Sequence, residues 1–400
     1  MRALRNYIDK IKPHFEKGGK YEKLHSLFDG FETFLFVPNK TSATGVHIHD
    51  AIDAKRIMST VIVALLPALL FGMYNVGYQH YLAIGQEAGF LNIFLFGFLA
   101  VLPKVIVSYV VGLGIEFIIA QIKGHEIQEG FLVSGMLIPL IVPVDTPLWM
   151  IAVATAFAVV FAKEVFGGTG YNIFNVALIT RAFLFFAYPA AMSGDKVFVR
   201  TEPIFSLGGG TVIDTFTGAT PLGQAGSATG ASVELVNAVG QPLTLWENFV
   251  GLIPGSIGET STLAILIGAA ILLLTRVASW KIMLSVFFGG GLMAYILNSA
   301  GGATASMNIP AYEHLLLGGF AFGAVFMATD PVTGTRTEAG KYIYGFLIGV
   351  LAIIIRALNP GYPEGMMLAI LFMNAFAPLI DFCVVDANMK MRMLRTKQKK

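Results

Sequence analysis

Ten runs of apolar residues, each bounded by charges or turn residues, divide this chain. They lie near 57–76, 91–121, 130–142, 148–162 and 173–188, and after a long polar gap near 261–275, 282–297, 315–329, 342–355 and 365–388. Such runs predict helices that cross a bilayer, for which about 20 apolar residues are needed. Several runs are shorter and are interrupted by Gly and Pro. Short, interrupted segments in matching places predict broken helices around a central site. Five runs on each side of the gap give the second set the opposite orientation. The fold expected is therefore an all-α integral membrane protein of about ten transmembrane helices, arranged as an inverted 5+5 repeat. Weak echoes fit this arithmetic: Gly130 to Pro143 precedes Asp145 as Gly318 to Ala328 precedes Asp330, and Gly170-Tyr171 opens the fifth run as Gly361-Tyr362 opens the tenth. The chain then divides into an N-terminal region (1–56), a first repeat (57–188), a polar loop (189–260), a second repeat (261–388) and a basic tail (389–400).

Composition rules out a soluble protein. The chain is 55% hydrophobic and 13% charged, with a mean hydropathy of +0.70; a soluble domain carries about 25% charged residues. The distribution of charge adds an orientation. With all ten runs crossing, 22 of the 27 Lys and Arg fall on the side of the two termini. Lys196, Arg200 and Arg356 fall opposite, and Lys104 and Arg181 lie within runs. Basic residues collect on the cytoplasmic side, so both termini are expected there and the 189–260 loop outside. The two tails dominate this bias, which leaves counts of eight or twelve spans open. The single cysteine, Cys383, excludes a disulfide framework or a thiolate cluster built from this chain alone. No signal-peptide layout precedes the first run, which is expected to stay in the mature protein.

A charge at membrane depth is costly and usually faces a cavity, a partner or an ion path. The candidates are Glu116, Glu129, Glu164, Arg181, Asp330 and Asp381. Carboxylates are hard oxygen ligands for a small cation stripped of its water, so Glu116 and Asp381 are candidate Na+ or proton-path residues. The alternative is an internal ion pair, for instance with Arg181. The glycine-rich turns 165–170 and 328–334 lack the lysine and strand of a phosphate loop; they are read as helix breaks that expose backbone beside a cavity. Asn172 and Asn175 follow the first turn and offer both donors and acceptors, as recognition of a planar heterocycle requires.

The polar loop contains Asp214-Thr215-Phe216-Thr217-Gly218-Ala219-Thr220. This segment resembles the signature at which a flavin transferase attaches FMN to the last threonine through a phosphoester. Thr220 supplies the hydroxyl, Gly218 and Ala219 are small enough to let another enzyme's pocket approach, and Asp214 supplies a carboxylate beside Thr217. Further blocks carry the resemblance along nearly the whole chain: 15–23, 54–58, 72–75, 125–131, 163–170, 181–189, 253–259 and 359–367. Together they are similar to the B subunits of the sodium-translocating NADH:quinone oxidoreductases. The sister family, the D subunits of the Rnf complexes, shares the architecture and the threonine motif but usually lacks the long N-terminal region.

The resemblance implies a redox subunit of a Na+-exporting pump in a bacterial inner membrane, with subunits A, C, D, E and F as partners and membrane lipid around it. Covalent FMN on Thr220, installed by the flavin transferase, would receive electrons from the C subunit and pass them to a non-covalent riboflavin contacted by Asn172 and Asn175. Ubiquinone or menaquinone would then take them near Gly112, and Glu116 and Asp381 would be linked to Na+. No nucleic-acid partner is implied. Leu113 stands where the family has a second glycine, and Val176 where it has a proline. The basic, aromatic stretch Tyr7 to Phe36 is expected to form a membrane-surface helix pair over the quinone site. Two readings compete with this one: a flavin-free channel or transporter of the same architecture, and a cofactor-free scaffold subunit.

Overall fold

The computed structural model describes residues 2–16, 19–21, 25–36, 44–46, 52–123, 130–194, 197–214, 216–228, 230–302, 304–359 and 361–398. Glu129 and Thr215 lie outside them. Two short helices, α1 (Arg2–Ile11) and α2 (His25–Leu35), precede the apolar bundle. The bundle continues with α3 (Ala54–Ala83), α4 (Phe90–Lys123), α5 (Phe131–Leu140), α6 (Leu148–Ala158) and α7 (Val176–Ala187). Three small helices sit in the polar loop: α8 (Pro189–Met192), α9 (Pro221–Ser227) and α10 (Leu245–Val250). Then come α11 (Thr262–Leu274), α12 (Trp280–Ala300), α13 (Ala305–Asn308), α14 (Ala311–Leu316), α15 (Phe320–Phe322), α16 (Glu338–Leu358) and α17 (Met366–Gln398). Among the described residues there is no strand, only two isolated bridges in the polar loop.

Among the described residues, six helical segments are long and apolar enough to cross a membrane: α3, α4, α6 with the turns after it to Phe166, α12, α16 and α17. Shorter apolar helices, α5, α7 and α11, fill three of the remaining places. The run expected near 315–329 folds differently, as α14, α15 and a π-turn at Gly323–Met327. Gly318, Gly319 and Gly323 fall close together there, and Gly318 takes a left-handed φ of 65° through which no straight α-helix continues. Residues 319–329 of this broken run are buried inside the protein, where its irregular backbone is tolerated.

Packing follows the physics of helices in lipid, where hydrocarbon removes the hydrophobic drive and close contact of small residues takes over. At the α3–α4 crossing, a Cβ on Gly97 would lie 1.7 Å from the Met73 carbonyl oxygen. At the α12–α16 crossing, a Cβ on Gly349 would lie 2.2 Å from the carbonyl oxygen of Val286, and one on Gly289 2.3 Å from that of Phe346. The opposite faces stay apolar: Leu284, Phe288, Leu292 and Tyr295 form an exposed stripe along α12 at helical spacing. In α4 the buried positions Lys104, Ser108, Gly112 and Glu116 recur every fourth residue, so its polar and small residues share one inward stripe.

Gly349→Ala is expected to push α12 and α16 apart and to cost about 1–3 kcal/mol, the usual penalty for overpacking. A lower thermal midpoint in detergent measures it, with Gly291→Ala, whose Cβ position meets nothing closer than 3.7 Å, as control.

Candidate functional site

Two cavities lie at opposite ends of α11, whose 13 residues span about 20 Å. The first is small, about 20 Å³, and lies beneath the Thr220 motif. Thr220 is half-buried and its backbone is extended; its Oγ1 accepts from Gly223 N at 3.0 Å and caps α9, which Pro221 opens. Gln224 fastens the motif to the following turn: its Nε2 donates to the carbonyls of Ala219 (3.2 Å) and Val236 (2.9 Å), and its Oε1 accepts from Val236 N at 3.0 Å. Thr217 N donates to Ala238 O at 3.0 Å, its Oγ1 accepts from Ala219 N at 3.4 Å, Gly218 is buried and Asp214 is exposed. The threonine is therefore presented on a braced turn with small neighbours.

Below it lies a buried cluster of charges. Arg181, inside α7, donates from Nη1 to Glu259 Oε1 at 3.2 Å and to Ser256 Oγ at 3.4 Å, while Nη2 pairs with Glu364. Arg181 and Glu259 are each 3% exposed. Arg356, also buried, donates to backbone carbonyls: His314 (2.6 Å), Leu317 (3.2 Å) and Glu364 (3.2 Å). Glu259, Glu364 and Thr220 all line the small cavity. Its position just after an apolar run places Arg356 among the outside residues of the sequence; in the fold it belongs to the last turn of α16, where those carbonyls satisfy it.

The second cavity, about 90 Å³, lies between α3, α5, α7, the end of α11 and the turn after the Gly323–Met327 π-turn. Asn172, Asn175, Lys163 and Asp330 bring polar groups to it. Asn175 Oδ1 caps α7 by accepting from Ala177 N (3.0 Å) and Leu178 N (3.3 Å), and its Nδ2 donates to Asp330 Oδ2 at 3.0 Å. Asn172 Nδ2 donates to Phe174 O at 3.1 Å and its Oδ1 accepts from Gly170 N at 3.3 Å. An amide has two N–H donors, so each asparagine keeps one outside these bonds. With apolar walls from Met58, Leu137 and Phe326, this site fits a planar heterocycle better than a bare ion.

The other expected residues are dispersed. Glu116 pairs with Lys163 in a buried ion pair. Gly112, one turn away on the same stripe, meets the Phe131 ring, whose Cζ would lie 1.9 Å from a Cβ there. Asp381 stands apart in α17: Oδ1 accepts from Thr337 N (3.0 Å) and Thr337 Oγ1 (2.6 Å), and Oδ2 from Arg336 N (2.8 Å), which pins the start of α16. Glu164 pairs with Lys123 at 3.5 Å. No group of three or more His, Cys, Asp or Glu is placed to hold a metal among the described residues. Sequence reasoning missed Lys163 and the partners Glu259 and Glu364; no local pattern links positions so far apart in the chain.

The profile of the NQR2, RnfD, RnfE family matches residues 41–390. The chain belongs to this family. Among its relatives, the B subunit of the Na(+)-translocating NADH-quinone reductase of Chromohalobacter salexigens is 47% identical over 415 residues, covering 98% of this chain and 97% of that protein. The B subunit of the same reductase from Pseudomonas aeruginosa (strain LESB58) is 47% identical, covering 98% and 99%, and that from Klebsiella pneumoniae is 46% identical, covering 98% and 100%. The resemblance carried by the sequence blocks thus extends along nearly the whole length.

Arg181→Met strands two carboxylates in the interior of this family member and is expected to cost about 3–5 kcal/mol. Lys123→Met removes a more exposed pair and is expected to cost less than about 1 kcal/mol. Thermal unfolding of the two variants in one detergent compares them directly.

Proposed function

We propose that this chain is the membrane redox subunit of a Na+-translocating NADH:quinone oxidoreductase, and that Thr220 carries FMN through a phosphoester. The observation that carries the reading is the placement of Thr220: a hydroxyl on a braced turn with small neighbours, above a small cavity floored by Glu259 and Glu364. Relatives named as B subunits of such reductases support it at full length. A bound flavin supplies reversible storage of electrons. The chain's residues position it: Gly218 and Ala219 leave room for attachment, Gln224 holds the turn, and Asp214 lies exposed for the attaching enzyme.

In this reading the larger cavity receives a non-covalent riboflavin beside Asn172 and Asn175, and the quinone, ubiquinone or menaquinone, is reduced near Gly112 and Phe131. Sodium passes by Glu116 and Asp381. Both carboxylates are engaged: Lys163 holds one oxygen of Glu116, leaving Oε2 without a partner among the described residues, and Thr337 and Arg336 N hold Asp381, so an ion at Asp381 would compete with those bonds. The chain then crosses the membrane ten times in an inverted 5+5 repeat, with α5 and the Phe320–Met327 segment as the short third member of each half. Its location is the bacterial inner membrane with cytoplasmic termini, its partners are five further subunits (A, C, D, E and F), and a flavin transferase matures it. The division at 57–188 and 261–388 follows these halves.

In-gel flavin fluorescence under denaturing conditions tests the attachment, in cells that make the transferase. The wild-type band is expected to fluoresce and the Thr220→Ala band to be dark. A dark wild-type band with an active transferase would favour a flavin-free channel. For the quinone region, Gly112→Ala is expected to displace Phe131 and to raise the quinone Michaelis constant of the assembled complex at least several-fold; an unchanged constant removes Gly112 from the site.

A further inference from the structure

Two π-turns deliver residues to the larger cavity. Val159–Lys163 continues α6 and ends on Lys163, and Gly323–Met327 leads into Thr329 and Asp330. Such turns insert one residue into a helix and redirect the residues after it, and they recur at functional sites. Here they bring one cation and one carboxylate to the same space from distant parts of the chain.

Lys163 is the cationic side chain lining that cavity among the described residues. It is 3% exposed, and Glu116, 4% exposed, is its ion-pair partner. Glu116 uses one oxygen for the pair; its Oε2 has no hydrogen-bond partner among the described residues. An ammonium has three N–H donors, and the bond to Glu116 occupies one. Asp330 is held by neutral donors: Asn175 Nδ2 (3.0 Å), Thr333 Oγ1 (3.1 Å) and Val332 N (3.0 Å). Lys163 is therefore ion-paired with one incompletely bonded carboxylate, Glu116, which is not part of the cavity lining, while the cavity's own carboxylate, Asp330, is bonded to neutral donors. Burying such a pair is expensive, and packed apolar residues would be no less stable, so stability alone does not explain its place at a cavity.

We propose that Lys163 is the charge partner of the flavin in this cavity, and that Glu116 sets how much of the Lys163 charge the flavin feels. This rests on the reading of the cavity as the riboflavin site. A riboflavin held there would be neutral before reduction and, with electrons supplied by the electrode in the test below and a proton from solvent, would carry one net negative charge when fully reduced and singly protonated. No bond to Lys163 forms or breaks. A fixed ammonium at the wall favours the reduced, charged form, and the effect is strong where water is excluded. Lys163 thus acts as a positioning residue for charge, and the same ammonium is shared between the flavin and Glu116.

The test uses the full chain in lipid nanodiscs, on a Thr220→Ala background so that added riboflavin is the sole flavin, with midpoint potentials read by spectroelectrochemistry. Lys163→Gln is expected to shift the potential down and Glu116→Gln to shift it up. Lys163→Gln with Glu116→Gln, and Lys163→Arg alone, are expected to stay near the starting value. A merely structural pair would move both single variants in the same direction, or neither; either result with flavin retained overturns the inference. If a single variant loses its flavin, the double variant and Lys163→Arg decide: potentials near the starting value in both support the inference, and a displaced potential or lost flavin in either overturns it. A parent chain that binds no riboflavin would overturn the reading of the cavity itself, and the inference with it.

Discussion

Arg181 joins parts of the chain that share no helix. Its guanidinium reaches Glu259, just before α11, and Glu364, just before α17, from within α7. A guanidinium buried at this depth needs acceptors, and two carboxylates and Ser256 take three of its five N–H donors. Because the segments ending at Glu259 and Glu364 also wall the Thr220 cavity, the same interaction fixes the floor on which the motif rests. Arg356 adds a second buried guanidinium that gathers the carbonyls of His314, Leu317 and Glu364 around it. The Thr220 end is thus organised by arginines, which present fixed planar forks.

The opposite end is organised by amides and a lysine. Asn175 satisfies the first turn of α7 with its oxygen and ties that turn to Asp330 with its nitrogen, so a helix cap doubles as a contact between the two parts of the bundle. Lys163 and Glu116 place a pair of opposite charges between this cavity and the Gly112 face of α4. Such pairs persist away from water, since none competes for the partners.

Much of the candidate site was legible because its signals are local. Thr220 stands in a seven-residue motif, and its small neighbours and position in the polar loop need no fold to be read. Asn172 and Asn175 follow a glycine-rich break, and the structure brings both to one cavity. For Glu116 and Asp381 the polarity within an apolar run was visible but the partner was not. Glu116 meets Lys163, 47 residues on, and Asp381 meets Thr337 across a helix pair. A carboxylate within an apolar run became a buried ion pair in one case and a clamp on a helix start in the other.

The amino-acid sequence by itself determined the class, the places of the apolar helices, the polar loop and the family, because hydropathy and short motifs are properties of neighbouring residues. Tertiary structure alone decided which buried charges meet, where the glycines let helices touch, and that the run near 315–329 breaks into short pieces. Those outcomes depend on the pairing of segments tens to hundreds of residues apart. Charges buried in low dielectric find partners by geometry, and spacing along the chain does not encode it.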